Sequence, residues 1–195
     1  MSITEDRRVN ANVDFYLHQD PTIPISAHFR EFIRTRAGGE KLLDFGAGIG
    51  RVAHELKLFG FDVTAVDVNQ QYVAIAKSAG VNAILLDPEQ GLPFPDRSFD
   101  TVYLVEVLEH LPDDVIRRIL PELRRVARKN VLITVPNNGQ YDALMKFEFL
   151  YGHYRVVDHV QFFTKQSLGE LLQSYFCKHE ISEGDPLMPH LLLPP

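Results

Sequence analysis

The stretch Val105-Glu106-Val107-Leu108-Glu109-His110 puts two carboxylates and an imidazole at the end of an apolar run. Burying an unpaired charge is expensive, so ionisable groups in such a place ordinarily meet a partner. Four readings fit: a contact with a cofactor, a metal site, a proton transfer, or a merely polar strand end. A second constellation is Asp44-Phe45-Gly46-Ala47-Gly48-Ile49-Gly50, followed at intervals by Asp67 and Asp87. Glycines let a ligand approach the backbone closely, and a helix N-terminus just beyond them offers free N–H groups. A carboxylate closing the next strand can accept both ribose hydroxyls of an adenosine-containing cofactor. A third segment, Asp158-His159-Val160-Gln161-Phe162-Phe163-Thr164, brings a further imidazole ahead of a helical pattern.

These groups need elements to position them. Residues 23–36 read as an N-terminal helix stopped by Ala37-Gly38-Gly39, and residues 1–40 form a helical cap. Short apolar strands then alternate with helices: strands at 41–45, 61–66, 81–86, 99–105 and 130–135, helices at 51–59, 69–78 and 114–128. Asn69 caps the second of these helices, and Pro121 is expected to kink or break the third. Such alternation implies right-handed βαβ units and an α/β, doubly wound, mostly parallel sheet. Residues 140–158, rich in aromatics (Tyr141, Phe147, Phe149, Tyr151, Tyr154), interrupt the rhythm and are expected to form a lid at the carboxyl edge of the sheet. A helix over 165–175 and a sixth strand over 177–182 complete the pattern. Prolines 186, 189, 194 and 195 then make a poor seventh strand, so the terminal hairpin looks incomplete. A sheet edge left this way invites cover by a partner chain, a homodimer among the options. The whole, residues 1–195, reads as one domain.

The glycine turn narrows the cofactor. A dinucleotide fingerprint, GxGxxG, needs glycine at 46, 48 and 51, and position 51 is Arg. With its acid two residues ahead of the first glycine, the pattern resembles the class I S-adenosylmethionine-dependent methyltransferases. So do Ala65-Val66-Asp67-Val68 and Phe99-Asp100-Thr101-Val102 leading into Glu106-Val107-Leu108-Glu109-His110, over about residues 42–182. The resemblance implies a Rossmann-like methyltransferase fold. It implies that Asp44, Gly46, Ala47, Gly48 and Gly50 shape the methionine end of the cofactor site, that Asp67 holds the ribose with Val68 against the adenine, that Asp87 reaches the adenine amino group, and that Glu106 lies beside the sulfonium. A sulfonium is cationic and carries no phosphate, which suits a row of acids without lysine.

Methyl transfer is largely a matter of positioning, but a hydroxyl acceptor must still lose its proton to a base or a metal. Within the family, the EHL after the fourth strand and the H-x-x-F-F before the last helix resemble the ubiquinone-biosynthesis-type O-methyltransferases and the small-RNA 3′-terminal 2′-O-methyltransferases. On a small acceptor, His110, His159 and Glu109 read as catalytic residues, with His110 or His159 as a base or substrate-orienting group; a purely structural role is the alternative. The second resemblance implies a divalent metal on Glu106, Glu109, His110 and His159, which is the less favoured reading. Mixed carboxylate and imidazole ligands suit Mn²⁺, Co²⁺, Fe²⁺ or Zn²⁺ better than Mg²⁺.

Composition narrows the classes further. The net charge of −6 argues against a large nucleic-acid surface. The best basic cluster, Arg117, Arg118, Arg124, Arg125, Arg128 and Lys129, falls on an amphipathic pattern and reads as the solvated face of a helix rather than an RNA site. One cysteine, Cys177, excludes a disulfide framework and a cysteine-based zinc cluster. No run is apolar enough to span a bilayer and no signal-peptide core is present, so a cytoplasmic protein is expected. His153 reads as a surface residue, and His18, His28, His54, His179 and His190 have no supporting context. A non-catalytic cofactor-binding module and, more distantly, a nicotinamide dehydrogenase are the competing readings.

Overall fold

Five strands, all parallel, lie in the order β3-β2-β1-β4-β5. The computed structural model describes residues 17–137 and 159–182. Its elements are α1 (Ala27–Arg36), β1 (Lys41–Phe45), α2 (Arg51–Leu58), β2 (Asp62–Asp67), α3 (Gln70–Ser78), β3 (Asn82–Leu85), β4 (Phe99–Val105), α4 (Asp113–Val126), β5 (Ala127–Thr134) and α5 (Lys165–Gln173), with one 3₁₀ turn at Leu108–His110. The chain starts in the middle of the sheet, builds outward to β3, then crosses back to place β4 on the other side of β1. That crossing creates a switch point between the carboxyl ends of β1 and β4, where open α/β sheets bind ligands.

The central strands β1, β2 and β4 are buried on both faces, and side-chain alternation sorts them into two cores. Leu43, Phe45, Val102 and Leu104 pack beneath Ile116, Leu120, Leu123 and Val126 of α4 and Leu168 and Leu172 of α5. Leu42, Val63, Ala65 and Tyr103 face the other way, against Ile33 of α1, Ala53 and Leu56 of α2 and Val73 and Ala76 of α3. Asp44 and Tyr103 are register partners across β1 and β4, both buried. The cap helix is locked on by Glu55, a buried carboxylate that accepts Ile25 N–H at 2.6 Å and pairs with Arg30.

The predicted strands and helices appear with boundaries shifted by a few residues, and Asn69 caps α3 by accepting Gln71 N–H at 2.9 Å. Three expectations are corrected. Helix α4 does not break at Pro121, which is exposed on its outer side. Strand β5 begins at Ala127, directly after α4, so Arg128 and Lys129 belong to a strand rather than to the basic helix. The cluster is also largely engaged: Arg125 holds Glu122, Asp96 and the carbonyls of Leu92 and Phe94, Arg128 pairs with Asp100 at 3.0 Å, and Arg124 donates to Tyr175 O. Finally, residues 177–182 form no strand. Their polar start, Cys177-Lys178-His179-Glu180, offers no apolar alternation to a sheet, and Ile181 instead packs on the α5 side of the core, near Gly169.

Among the described residues no strand pairs with the outer edge of β5, and no helix is long and apolar enough to cross a membrane. The lid expected at 140–158, with His153, lies outside the described residues, as do the first sixteen residues and the proline-rich terminus.

Candidate active site

The carboxyl ends of β2, β1 and β4 carry a continuous row of functional groups. After β1 the chain turns sharply, with Gly46 N–H and Ala47 N–H both donating to Val66 O, at 2.9 and 3.0 Å. Gly46 has φ +73° and its missing Cβ leaves room for Val107, since a Cβ there would stand 2.7 Å from Val107 Cγ2. The glycine turn and the exit of β4 are thus in contact across the switch point. Gly48 has φ +55°, and a Cβ added to it would meet nothing within 4 Å. This open face of the turn is where a ligand can lie against the backbone. Gly50 is the N-cap of α2, with its own missing Cβ facing Ala76.

Asp67, the last residue of β2, ties the turn down from the other side. Its Oδ2 accepts Gly48 N–H at 2.7 Å and its Oδ1 accepts Asn69 N–H at 2.8 Å. Burial raises its carboxyl above the usual range, and these N–H donors partly offset that. Beyond it Val68 is exposed, an unusual position for a large apolar side chain and a flat wall available to a planar group. Asp87 lies two residues past β3 and is exposed. It closes its own turn, accepting Glu89 N–H at 3.0 Å and Gln90 Nε2 at 2.8 Å.

Asp44 sits below the turn, 2 % exposed, with its Oδ2 and the Tyr103 hydroxyl both lacking a well-directed hydrogen bond. Burial pushes the Asp44 carboxyl up to about 8; Tyr103 opposes this, the Asp67 charge adds to it, and Ala53 N–H opposes it. The Tyr103 phenol is itself driven well above its ordinary value by burial. A carboxyl raised by folding stabilises the native state fully below its unfolded value, near 3.8. The contribution drains away as pH rises through the folded value, at about 1.4 kcal/mol per pH unit. Asp44→Asn, which removes the titration, is therefore expected to flatten the decline in Tm between pH 5 and 8 and to be the more stable protein at pH 8. Thermal unfolding at a series of pH values checks this, and parallel curves for the two proteins would refute it.

At the exit of β4, Glu106 holds φ +53°, a left-handed conformation costly for a residue with a Cβ. Thr134, at the end of β5, grips it three ways: Glu106 N–H donates to Thr134 O at 3.1 Å and to Oγ1 at 3.3 Å, and the Thr134 hydroxyl donates to Glu106 Oε1 at 3.0 Å. Glu106 is exposed, yet the protein crowded around its carboxyl raises it above its ordinary value, and the Thr134 hydroxyl pulls it back down.

The following 3₁₀ turn carries Glu109, 1 % exposed, and His110. The Glu109 carbonyl accepts Val160 N–H at 2.8 Å and Gln161 N–H at 2.9 Å, which straps the segment ahead of α5 onto this turn. Gln161 Nε2 adds a bond to Asp113 Oδ1 at 2.7 Å. His159 is thereby set against His110, ring centroids 4.7 Å apart at 76°. One ligand atom from each of Glu109, His110 and His159 lies within 4.8 Å of the others. A tetrahedral ion with bonds of about 2.1 Å separates its ligands by roughly 3.4 Å, so a modest contraction would let the three hold one. Glu106 is not part of this group.

Three of the four residues singled out for proton transfer or metal binding therefore meet, and residues 44, 46–48, 50, 67, 68 and 106, expected to hold the cofactor, share one sheet edge, with Asp87 further out. Two residues escaped the sequence reading. Tyr103 looks like any core residue of an apolar strand, and only the register sets it beside Asp44. Thr134 was legible in principle, because it ends the strand next to the one that Glu106 follows. The row holds acids, glycine backbone and an apolar wall, which fits an adenosine cofactor that carries positive charge and no phosphate. Arg51, where a dinucleotide fingerprint requires glycine, directs its guanidinium at the carbonyls of Ile23 and Pro24, at 3.4 Å.

Comparison with known proteins bears on this geometry. A family model described as "Methyltransferase domain" matches residues 16–175. The 2-methyl-6-phytyl-1,4-hydroquinone methyltransferase of Synechocystis is 36% identical over 109 residues, 53% of this chain and 34% of that protein. A ubiquinone biosynthesis O-methyltransferase of Paramagnetospirillum magneticum is 35% identical over 94 residues, 45% of this chain and 38% of that protein. The match thus spans little more than a third of these relatives. Among solved structures, a SAM-dependent methyltransferase from Archaeoglobus fulgidus shares the fold, with a TM-score of 0.63 at 18% identity, covering 85% of this chain and 80% of that one.

Proposed function

The chain belongs to the S-adenosylmethionine-dependent methyltransferases, and from that premise we propose that it methylates a small-molecule acceptor at oxygen. The acceptor class is a phenol or hydroquinone, flat and largely apolar. Support for oxygen comes from one observation above the others: Glu109, His110 and His159 converge next to the β4 exit, where the row of cofactor residues ends. Support for the ring comes from the names of two relatives, a 2-methyl-6-phytyl-1,4-hydroquinone methyltransferase and a ubiquinone biosynthesis O-methyltransferase.

When bound, S-adenosylmethionine supplies an electrophilic methyl on a sulfonium leaving group. The protein's share is to bind, orient and accept a proton. The open face of Gly48 and the Gly46–Gly50 backbone cradle the methionine end, with Asp44 beneath. Asp67 receives the ribose hydroxyls through lone pairs its two backbone bonds leave over, and Val68 flanks the adenine, with Asp87 at its far side. Glu106 answers the positive charge. His110 or His159 takes the acceptor's hydroxyl proton, and Glu109 stabilises the imidazolium that results.

A second reading keeps the same residues but gives Glu109, His110 and His159 a divalent ion that acidifies the acceptor hydroxyl, as a 3′-terminal ribose of RNA would require. The close approach of their ligand atoms favours it specifically. Transfer of labelled methyl to a panel of phenols and hydroquinones and to short RNA, each with and without chelator, separates the two. Chelator-resistant labelling of phenols supports the first reading. Chelator-sensitive labelling of RNA supports the second. No labelling of anything by a protein that binds the cofactor contradicts both and leaves a binding module.

A further inference from the structure

Thr134 ends the fifth strand and belongs to no part of the mechanism above. We propose that Thr134 is a positioning residue that holds the Glu106 carboxylate as the charge by which the protein tells the sulfonium donor from its spent thioether product. The inference rests on the proposed cofactor site and adds a specificity determinant to it.

The geometry is unusual in two respects. First, Glu106 occupies a left-handed conformation, φ +53°, that side-chain-bearing residues avoid, so the surrounding structure must enforce it. Second, one residue supplies that enforcement. Thr134 accepts Glu106 N–H with both its carbonyl and its hydroxyl oxygen, and donates the hydroxyl proton to Glu106 Oε1. Backbone and side chain are fixed together, which leaves the carboxylate little rotational freedom. A hydroxyl that donates to a carboxylate oxygen favours its ionised form. The strained turn also places Val107 against Gly46, so the Glu106 backbone is one residue from this contact with the glycine turn and leads into the Glu109–His110 turn, while Thr134 holds its carboxylate from the β5 side.

The consequence is electrostatic. Donor and product share adenosine and amino-acid portions, and differ at sulfur by one methyl and one positive charge. Groups that grip the shared portions bind both alike. A fixed negative charge near the sulfur favours the donor, and its benefit falls if the carboxylate swings away or is left without its donor. Preference for donor over product would also ease release of the product after each turnover.

Titration calorimetry with S-adenosylmethionine and S-adenosylhomocysteine on wild type, Thr134→Val, Thr134→Ser and Glu106→Gln tests the inference. Thr134→Val keeps the shape and removes the hydroxyl. It is expected to weaken donor binding roughly tenfold while product binding changes less than about twofold, the scale of a hydrogen bond to a charged group. Glu106→Gln should lower the donor-to-product ratio in the same sense, and Thr134→Ser should restore the wild-type ratio. Equal weakening of both ligands in Thr134→Val would overturn the inference, because it would mean a general structural role or a contact with the shared amino group. An unchanged ratio would overturn it as well. If wild type binds neither ligand, the proposed cofactor site fails, and this inference fails with it.

Discussion

Replacing His110 with alanine is expected to slow methyl transfer roughly 100- to 10,000-fold, the usual contribution of a positioned proton acceptor, while S-adenosylhomocysteine binds within a few-fold of wild type. His110 sits on a 3₁₀ turn beyond the row proposed to receive the cofactor, so its loss should spare binding and strike turnover. The same substitution at His159 is expected to behave alike, since the two rings pack at 4.7 Å and share Glu109. Groups that act as a unit are far from additive, so the double substitution should cost little more than either single one. Added imidazole should recover part of the activity of His110→Ala by occupying the vacated space. Steady-state kinetics on an identified acceptor decides the matter. An unchanged kcat with a raised KM would mean that His110 orients the acceptor and takes no proton.

The second large effect concerns the glycine turn, where two neighbouring glycines should fail in different ways. Gly46→Ala forces an L-residue to φ +73° and drives its methyl to 2.7 Å from Val107. The left-handed conformation costs about 1–2 kcal/mol and the overlap about 1–3 kcal/mol more. Tm should fall by something of the order of 10 °C for a chain of this size, and cofactor binding should fall with it. Val107→Ala in the same chain is expected to return the overlap portion and leave the conformational portion. Gly48→Ala pays a conformational cost too, at φ +55°, but its methyl meets no protein atom within 4 Å. It should stay folded and bind the cofactor poorly, because the methyl occupies the face of the turn the ligand needs. Melting curves and titrations on the three proteins separate the effects. Normal cofactor binding by Gly48→Ala would show that the ligand does not lie on that face.

Much of this architecture is written in local pattern. Short apolar runs bounded by glycine or acidic residues mark β1 to β4, and Asp67 and Glu106, at or just past two of those ends, stand at the carboxyl edge of the sheet. Motif spacing sufficed for Asp67, which indeed closes β2 and binds the glycine turn. Other features depend on contacts that spacing does not encode. His110 and His159 are 49 positions apart, and what joins them is a carbonyl, Glu109 O, accepting two backbone donors of another segment. Asp44 and Tyr103 become a buried pair only through the β1–β4 register. The abrupt passage from α4 to β5 at Ala127 is invisible in a basic, amphipathic run that continues helically through Arg128 on paper. The misread strand at 177–182 has a similar origin: a single apolar residue, Ile181, serves the core without strand pairing. Asp87 is a reminder that a strand-end acid can spend both oxygens on its own turn.

The Thr134–Glu106 grip connects these threads. It is a long-range contact between the ends of two neighbouring strands, β4 and β5, and it explains a backbone conformation that sequence alone would not suggest. The proposed function requires that the edge formed by Gly46–Gly50, Asp67 and Glu106 receive S-adenosylmethionine. Isothermal titration of the purified protein with S-adenosylmethionine and S-adenosylhomocysteine tests it most directly. The account predicts saturable one-to-one binding of both. Absence of heat with either ligand at millimolar concentration, or saturable binding of a nicotinamide dinucleotide in their place, would contradict it.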